Sequence, residues 1–271
     1  MKIAKRMRTN KLTLDFVSAG TWFGDGGAAM GIMPKALWQK LLEVDQFNRL
    51  EFALNTLLIR DGQNNILVDT GIGNKLSAKK QQIFHTSDFT LLDNLNKLNI
   101  DRTEINYVIL SHLHFDHAGG IVSIIDGKPQ LSFPNAIHLI QRKEWEMAKN
   151  PDDLNKAAYD FEQNLKLLEI SGNFQLIDGD YDLTDEISLQ FAGGHSEGLQ
   201  VVRIKSDDLL AYYAADLFPL EAHRHLAVTA AYDVCRRDTF ASKKRILTEL
   251  AENKGFLLIN HDMKRKVLEI K

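Results

Sequence analysis

The chain carries, at residues 111–120, the segment Ser111-His112-Leu113-His114-Phe115-Asp116-His117-Ala118-Gly119-Gly120. Three histidines and one aspartate fall within six consecutive positions of a chain that has only nine histidines in all. The segment follows the short apolar run 107–110, which is typical of a strand buried on both faces. An irregular turn after such a strand lets imidazole and carboxylate groups converge on a cation. A polar surface turn is the alternative, but random sequence rarely packs these residue types so densely, and we therefore predict a metal site here.

Three further candidate ligands, His195, Asp216 and His261, each come directly after an apolar, strand-like run. Taken singly, His195 could be a turn residue, Asp216 a helix cap and His261 a surface imidazole. If the four strands end at one edge, however, all three side chains come together with the first motif. We therefore predict one site built from four strand ends.

Apolar spacing also predicts the elements around this site. Two β-branched runs, 55–60 and 65–69, flank the turn Asp61-Gly62-Gln63-Asn64 and predict a β-hairpin. Helices are predicted after Pro34 and at three further ranges, 88–98 with Ser87 as N-cap, 155–170 and 239–252. The glycine-rich stretch 24–27 matches no phosphate-binding pattern and is predicted to be an ordinary loop. Strands first, then strands mixed with helices, predict an α+β fold with sheets inside and helices outside, in a single domain over residues 1–271.

Composition excludes several classes of partner. Lys and Arg total 33 against 36 Asp and Glu, a formal charge of −3, and no dense basic block is present, so we expect no nucleic-acid partner. The single cysteine, Cys235, cannot form an intramolecular disulfide, which fits a reducing compartment. The N-terminus is basic, but Asn10, Lys11 and Asp15 interrupt the apolar run that a secretory signal needs. We expect no signal peptide, no membrane span and a cytoplasmic location.

The motifs as a set resemble those of the metallo-β-lactamase superfamily, whose signature H-x-H-x-D-H is matched by His112, His114, Asp116 and His117. The resemblance extends along almost the whole chain, since Asp69-Thr70-Gly71 is similar to the family's D-T-G element and Gly194-His195-Ser196 to its third-ligand turn. It implies a four-layer αβ/βα sandwich with two central mixed sheets and helices on both outer faces.

The same resemblance implies the ligands of two metal ions. One ion would be held by His112, His114 and His195. The other would be held by Asp116, His117 and His261. Asp216 would bridge the two ions, and Asp69 is expected behind the ligands, where it holds imidazoles in place.

Within the superfamily, the chain is most similar to the branch of quorum-quenching N-acyl homoserine lactonases and organophosphate hydrolases. The residues that carry this resemblance are 24–27 with 34–38, and 215–219 with the later His223 and Tyr232-Asp233. This resemblance implies a hydrolase that opens a lactone ring, above all that of N-acyl homoserine lactones, by attack of a metal-bridging hydroxide. Asp116 is expected to deliver a proton to the leaving alkoxide, and His223 is a second candidate catalytic residue that would line the pocket. Some lactonases of this group carry a tyrosine three positions after the bridging aspartate, where this chain has Pro219, so stabilisation of an oxyanion must come from elsewhere.

The donor set of imidazole and carboxylate, without thiolate, suits two Zn²⁺ ions and also allows manganese, iron or cobalt. The same metals would serve a phosphotriesterase, an arylesterase or a thioesterase, which are the alternatives within the enzyme class. A di-iron redox protein is less favoured, because such proteins need a flavin domain for which this length leaves no room. A non-catalytic binding protein would be expected to lack ligands, and none is missing from the motifs.

The expected partner is a small-molecule substrate, with a homodimer left open. Trp22, Phe23, Met33 and Phe218 are predicted either to wall a pocket for an acyl chain or to pack in the core.

Overall fold

The computed structural model describes residues 6–271, and the first five residues lie outside the described part. The strands, in chain order, are β1 Arg6–Arg8, β2 Thr13–Asp25, β3 Arg49–Arg60, β4 Asn65–Val68, β5 Tyr107–Ile109, β6 Val122–Ile125, β7 Lys128–Leu131, β8 Ile137–Gln141, β9 Phe174–Ile177, β10 Tyr181–Asp182, β11 Ile187–Phe191, β12 Gln200–Ser206, β13 Leu209–Tyr213, β14 Phe256–Leu258 and β15 Val267–Glu269. The α-helices are α1 Gly26–Met30, α2 Lys35–Trp38, α3 Ala78–Phe84, α4 Leu91–Asn96, α5 Phe115–Ala118, α6 Arg142–Lys149, α7 Phe161–Asn164, α8 Lys166–Ser171 and α9 Arg236–Asn253. Short 3₁₀ turns cover Arg102–Glu104, Gly119–Ile121, Ala215–Leu217 and Glu221–Arg224.

Most of these strands form two mixed sheets. The first has seven strands in the order β1-β2-β3-β4-β5-β8-β9 and the second has six in the order β10 to β15. In the first sheet β1 to β4 pair antiparallel, and β4, β5, β8 and β9 pair parallel. In the second sheet only β13 and β14 pair parallel.

Alternation along the strands places the sheets back to back, with helices outside. On β3, Leu57 and Ile59 belong to the core shared with the second sheet, whereas Leu58 faces the core that α4, α6 and α8 cover. On β13, the Tyr212 hydroxyl donates to Glu249 of α9, whereas the Tyr213 hydroxyl lies 3.2 Å from the backbone oxygen of Asn55 in the first sheet. The result is the predicted α+β sandwich of four layers.

Four local predictions are confirmed, among them the helices after Pro34 and at 239–252, which are α2 and α9. The hairpin is present, with β3 and β4 antiparallel around the turn at residues 61–64. The strand that precedes the histidine motif, β5, is central, because it pairs parallel with β4 on one side and β8 on the other.

Three local predictions were wrong, each because a side chain bonds differently from the pattern. The stretch 24–27 is not a loop, since β2 continues to Asp25, whose carboxylate accepts from the Ala28 amide and starts α1. Ser87 does not cap α4, because its hydroxyl accepts from the Thr21 amide and the helix begins at Leu91. The helix predicted at 155–170 is broken into α7 and α8, and Asp160 caps the first of these.

No helix within residues 6–271 combines the length and the apolar character needed to cross a membrane.

Candidate metal centre

The four predicted strand ends meet at one edge of the sandwich. In the second sheet β11, β13 and β14 run in the same direction, because β12 is antiparallel to both β11 and β13. Backbone hydrogen bonds then join the two sheets, from the Ala53 amide to the His261 carbonyl at 2.9 Å and from the Gln200 amide to the Ser111 carbonyl at 2.8 Å. The loops that carry the candidate ligands therefore face each other.

Close backbone contact also fixes the histidine motif against the D-T-G element. The Thr70 amide donates to the His117 carbonyl at 2.8 Å, and the Gly120 amide donates to the Gly71 carbonyl at 2.9 Å. A Cβ atom on Gly120 would lie 2.2 Å from the Thr70 carbonyl oxygen, so only glycine allows this approach. The two motifs are far apart in sequence but form one structural unit.

The side chains singled out in the sequence assemble into two adjacent groups, and within each group one donor atom per residue lies within 4.8 Å of the others. The first group is His112, His114 and His195. The second group is Asp116, His117 and His261. All except His114 are buried.

The Asp216 carboxylate lies between the two groups. Its Oδ1 is 3.2 Å from Nε2 of both His117 and His261, and its Oδ2 is 3.4 Å from Nε2 of His195. Each oxygen therefore reaches a different group, which is the arrangement that a bridging carboxylate needs.

Ring hydrogen bonding indicates that cations fit this site. The Nδ1 atom of His261 donates to the Ala53 carbonyl, and Nδ1 of His117 lies 2.9 Å from the Asp69 carboxylate. The Nε2 atoms of the two rings are 3.1 Å apart, and both face the Asp216 carboxylate. Nε2 of His112 is buried without any partner among the described residues. A divalent cation held by these nitrogens would take the place of the proton that the neighbouring carboxylates keep on His117, and it would satisfy the orphaned acceptor of His112.

Charge within the cluster is balanced by its own members. Burial and the neighbouring histidines lower the pKa of His112 well below its ordinary value, which keeps the ring neutral and able to bind metal. Burial alone would lower the pKa of His117, but Asp216, Asp116 and Asp69 together raise it well above the ordinary value. Burial opposes ionisation of Asp216, yet the surrounding imidazoles hold the pKa of that carboxyl well below its usual range.

The first supporting carboxylate, Asp69, lies where the sequence predicts it. It is 2% exposed and, besides His117, accepts hydrogen bonds from the Ser111 amide and hydroxyl, both at 2.8 Å, and from the Tyr213 hydroxyl at 3.1 Å. Its position has φ +60°, a strained backbone for a residue other than glycine. Asp69 thus fixes both the ring of His117 and the start of the motif loop.

A second carboxylate, Asp233, performs the same task for the other group. Its Oδ1 lies 3.0 Å from Nδ1 of His195, and its Oδ2 accepts from the Thr239 hydroxyl at 3.1 Å. In the sequence, Asp233 belongs to the stretch that resembles the lactonase branch, but no role could be predicted for it. No local sequence pattern links Asp233 to His195, because 38 residues separate the two positions.

Sequence reasoning missed a third acidic residue, Glu144 on α6, which ties the histidine motif to the third-ligand turn. It is 1% exposed. One carboxylate oxygen accepts from the Leu113 amide at 3.0 Å and the Tyr159 hydroxyl at 2.9 Å. The other accepts from the Ser196 hydroxyl at 2.7 Å and the Gly198 amide at 2.9 Å. In the sequence Glu144 looks like an ordinary charged residue of an amphipathic helix.

We expect Glu144→Gln to lower the free energy of unfolding by about 1–3 kcal/mol, because the amide NH₂ would face two donors whichever way it is turned. Urea unfolding of protein with equal metal content measures the effect. Glu146→Gln on the exposed side of the same helix is the matched control and should stay within about 0.5 kcal/mol of the unmodified chain. Equal stability of the two variants would contradict the role assigned to Glu144.

An aromatic wall lies beside the second group. The Phe52 ring packs edge-on against His261 at 5.6 Å, and Trp22 stacks on Phe52 at 5.0 Å. Trp22 also contacts Phe115, the neighbour of Asp116, at 5.6 Å. The expectation that Trp22 borders the site is therefore consistent with its contacts.

The other aromatic and apolar residues considered for this wall lie elsewhere. Phe23, next to Trp22 on β2, packs against His85 at 5.2 Å and lines a separate groove of about 600 Å³. Phe218 is fully buried in the core between the sheets, and Met33 packs on a smaller core around Trp38. For these two residues the core interpretation is the correct one.

His223 is buried, and its Nε2 lies 3.0 Å from the Ala29 carbonyl. Among residues 6–271 its Nδ1 has no partner, and it belongs to neither group of candidate ligands. Burial and the nearby Lys243 ammonium lower the pKa of His223 to about 4, so the ring is neutral at physiological pH. A catalytic role for His223 stays a prediction.

Comparison with known proteins agrees with this architecture. The family model described as "Metallo-beta-lactamase superfamily" matches residues 50–247 of the chain. This protein belongs to the metallo-β-lactamase superfamily.

Individual relatives narrow the comparison. The N-acyl homoserine lactonase AiiA of Bacillus thuringiensis subsp. kurstaki is 26% identical over 225 residues, which cover 77% of this chain and 81% of the relative. A solved structure from Staphylococcus aureus, described as a probable metal-dependent hydrolase, has a TM-score of 0.91 at 28% identity and covers 97% of this chain and 94% of its own. The structure of AidC, a dizinc quorum-quenching lactonase in complex with a product, has a TM-score of 0.79 at 24% identity and coverages of 98% and 93%.

Proposed function

We propose that this protein is a metal-dependent hydrolase that opens lactone rings, with N-acyl homoserine lactones as its substrate class. The observation that carries the proposal is the pair of buried histidine–aspartate groups joined by Asp216. Two divalent cations, which we propose to be zinc, would be held by His112, His114, His195, Asp116, His117, His261 and Asp216.

Bound cations would polarise the ester carbonyl and lower the pKa of coordinated water toward about 7. The chain's own residues orient the metal ligands and transfer the proton. Asp69 and Asp233 hold the imidazole rings of His117 and His195, so the donor atoms keep their directions. Asp116 accepts the proton of the attacking water and returns it to the oxygen that leaves the acyl carbon, so that one water is added across the broken C–O bond.

The aromatic wall favours a substrate with an apolar tail. The half-buried rings of Trp22 and Phe115 form a continuous apolar surface beside Asp116, and the buried Phe52 packs between Trp22 and His261. Burial of a methylene against such a surface contributes about 0.8 kcal/mol. A flexible acyl chain therefore gains affinity with length until the surface is covered.

The relatives support the same class of substrate. AiiA is an N-acyl homoserine lactonase by name, and the neighbour AidC is a quorum-quenching lactonase with two zinc ions. A small-molecule substrate, no nucleic-acid partner, a cytoplasmic location and one domain over the whole chain belong to this proposal.

A hydrolysis panel tests it, with acyl homoserine lactones of increasing chain length, aryl esters, thioesters and phosphotriesters offered to the zinc-loaded protein. We expect kcat/KM for the lactones to exceed that for a simple aryl ester and to rise about fourfold for each added methylene until the wall is covered. Trp22→Ala should flatten this trend. Phe23→Ala, on the opposite face of β2, is the matched control and should preserve it.

Two outcomes would overturn the substrate assignment. The first is cleavage of lactones of every length no faster than the aryl ester, and the second is a rate that does not depend on chain length. The arylesterase, thioesterase or phosphotriesterase interpretation would then replace it, according to which compound in the panel is cleaved fastest.

A further inference from the structure

Three tyrosines border the candidate metal centre, and two of them are committed to supporting carboxylates. The Tyr159 hydroxyl donates to Glu144 at 2.9 Å, and the Tyr213 hydroxyl donates to Asp69 at 3.1 Å. The third, Tyr232, packs its ring edge-on against His195 with centroids 5.6 Å apart. Among residues 6–271 its hydroxyl has no hydrogen-bond partner, in contrast to the other two.

Tyr232 lies beside His195 of the first group of candidate ligands. It directly precedes Asp233, which holds the ring of His195, so the backbone is anchored beside the first group. Nε2 of His195, the ring on which Tyr232 packs, lies 3.1 Å from Nδ1 of His114 and 3.4 Å from the Asp216 carboxylate, so Tyr232 borders the first group where it meets the shared carboxylate.

Tyr232 is also open to a ligand, since 44% of its surface is exposed although the adjoining ligands are buried. The phenol at this place is a hydrogen-bond donor for which residues 6–271 supply no acceptor. During ester cleavage, negative charge develops on the acyl oxygen of the substrate. A hydrogen-bond donor beside the metal ligands would stabilise that charge.

We propose that Tyr232 is a further catalytic residue, whose phenol donates a hydrogen bond to the substrate acyl oxygen as that oxygen becomes negative. This inference rests on the proposed function. The phenol keeps its proton throughout, so the water that is added and the C–O bond that breaks remain as described above. A donor that binds the charged oxygen more strongly than the neutral carbonyl acts on kcat more than on KM.

The test compares Tyr232→Phe with Tyr181→Phe in the zinc-loaded enzyme. Both changes remove one phenol oxygen, but Tyr181 lies on the edge strand β10 of the second sheet. We expect Tyr232→Phe to lower kcat on a lactone at least about tenfold and to change KM less than about threefold, with metal content unchanged. Tyr181→Phe should match the unmodified enzyme.

Binding gives a second readout that does not depend on turnover. The ring-opened acid N-hexanoyl homoserine, titrated calorimetrically, should bind the Tyr232→Phe enzyme at least about tenfold more weakly than the Tyr181→Phe enzyme, because its carboxylate offers the charged oxygen.

The outcomes separate the two proposals. If the unmodified enzyme cleaves lactones but Tyr232→Phe keeps kcat within twofold, the role of Tyr232 is overturned while the lactonase proposal stands. Loss of metal together with rate in Tyr232→Phe would also overturn it, since the residue would then act only through His195. If the unmodified enzyme cleaves no lactone, the proposed function fails, and an equal Kd of both variants for the ring-opened acid would overturn the role of Tyr232 as well.

Discussion

Asp116→Asn is expected to preserve the fold and to lower kcat/KM by a factor on the order of 10²–10⁴. The carboxylate lies at the second group, with Oδ2 3.4 Å from Nε2 of His261 and 3.7 Å from Nε2 of His117. It is 7% exposed, so it is reachable from the pocket, unlike the fully buried His112. An amide occupies the same volume but cannot carry a proton to the leaving oxygen.

Metal content must be measured beside the rate, because Asp116 is also a candidate ligand. If the variant keeps its full metal content but loses much of its hydrolysis rate, the result supports proton transfer by Asp116. If it loses one equivalent of metal together with the rate, Asp116 is assigned to metal binding alone. Asp178→Asn serves as control, since Asp178 is exposed and, within residues 6–271, pairs only with Arg142 on the surface. Full activity of Asp116→Asn would remove the residue from the mechanism.

Asp216→Asn is expected to have the second large effect, on metal binding. The unmodified chain should bind about two equivalents of zinc, because seven donors exceed what one tetrahedral ion accepts. Removal of the shared negative charge leaves a buried charge without its partner, which costs about 3–5 kcal/mol. This corresponds to a loss of affinity on the order of 10²–10⁴. The variant should therefore retain less than two equivalents after competition with a chelator.

Asp208→Asn is the matched control for this measurement, because Asp208 lies in the exposed turn between β12 and β13. It should bind two equivalents with unchanged affinity. If Asp216→Asn also retained two equivalents against the same chelator concentration, Asp216 would not be shared between the two ions, and the two groups would have to bind metal independently.

Much of the site was predictable because its information is local. The motif at residues 112–117 places four polar side chains directly after a buried strand, and apolar runs precede His195, Asp216 and His261 in the same way. Strand periodicity and turn chemistry are properties of neighbouring residues, so the hairpin of β3 and β4 and the central strand β5 could be predicted. The resemblance of the motifs to one superfamily then placed Asp69 behind His117, where it is found.

The supporting contacts, by contrast, depended on residues far apart in the chain. Glu144 receives donors from Leu113 and Gly198, and Asp233 meets His195, because α6 and the stretch before α9 pack onto the joined edges of two sheets. No sequence pattern distinguishes such a buried acid from an exposed one on an amphipathic helix. Tertiary packing alone decides which carboxylates lose their water, and a carboxylate that has lost water must be surrounded by donors.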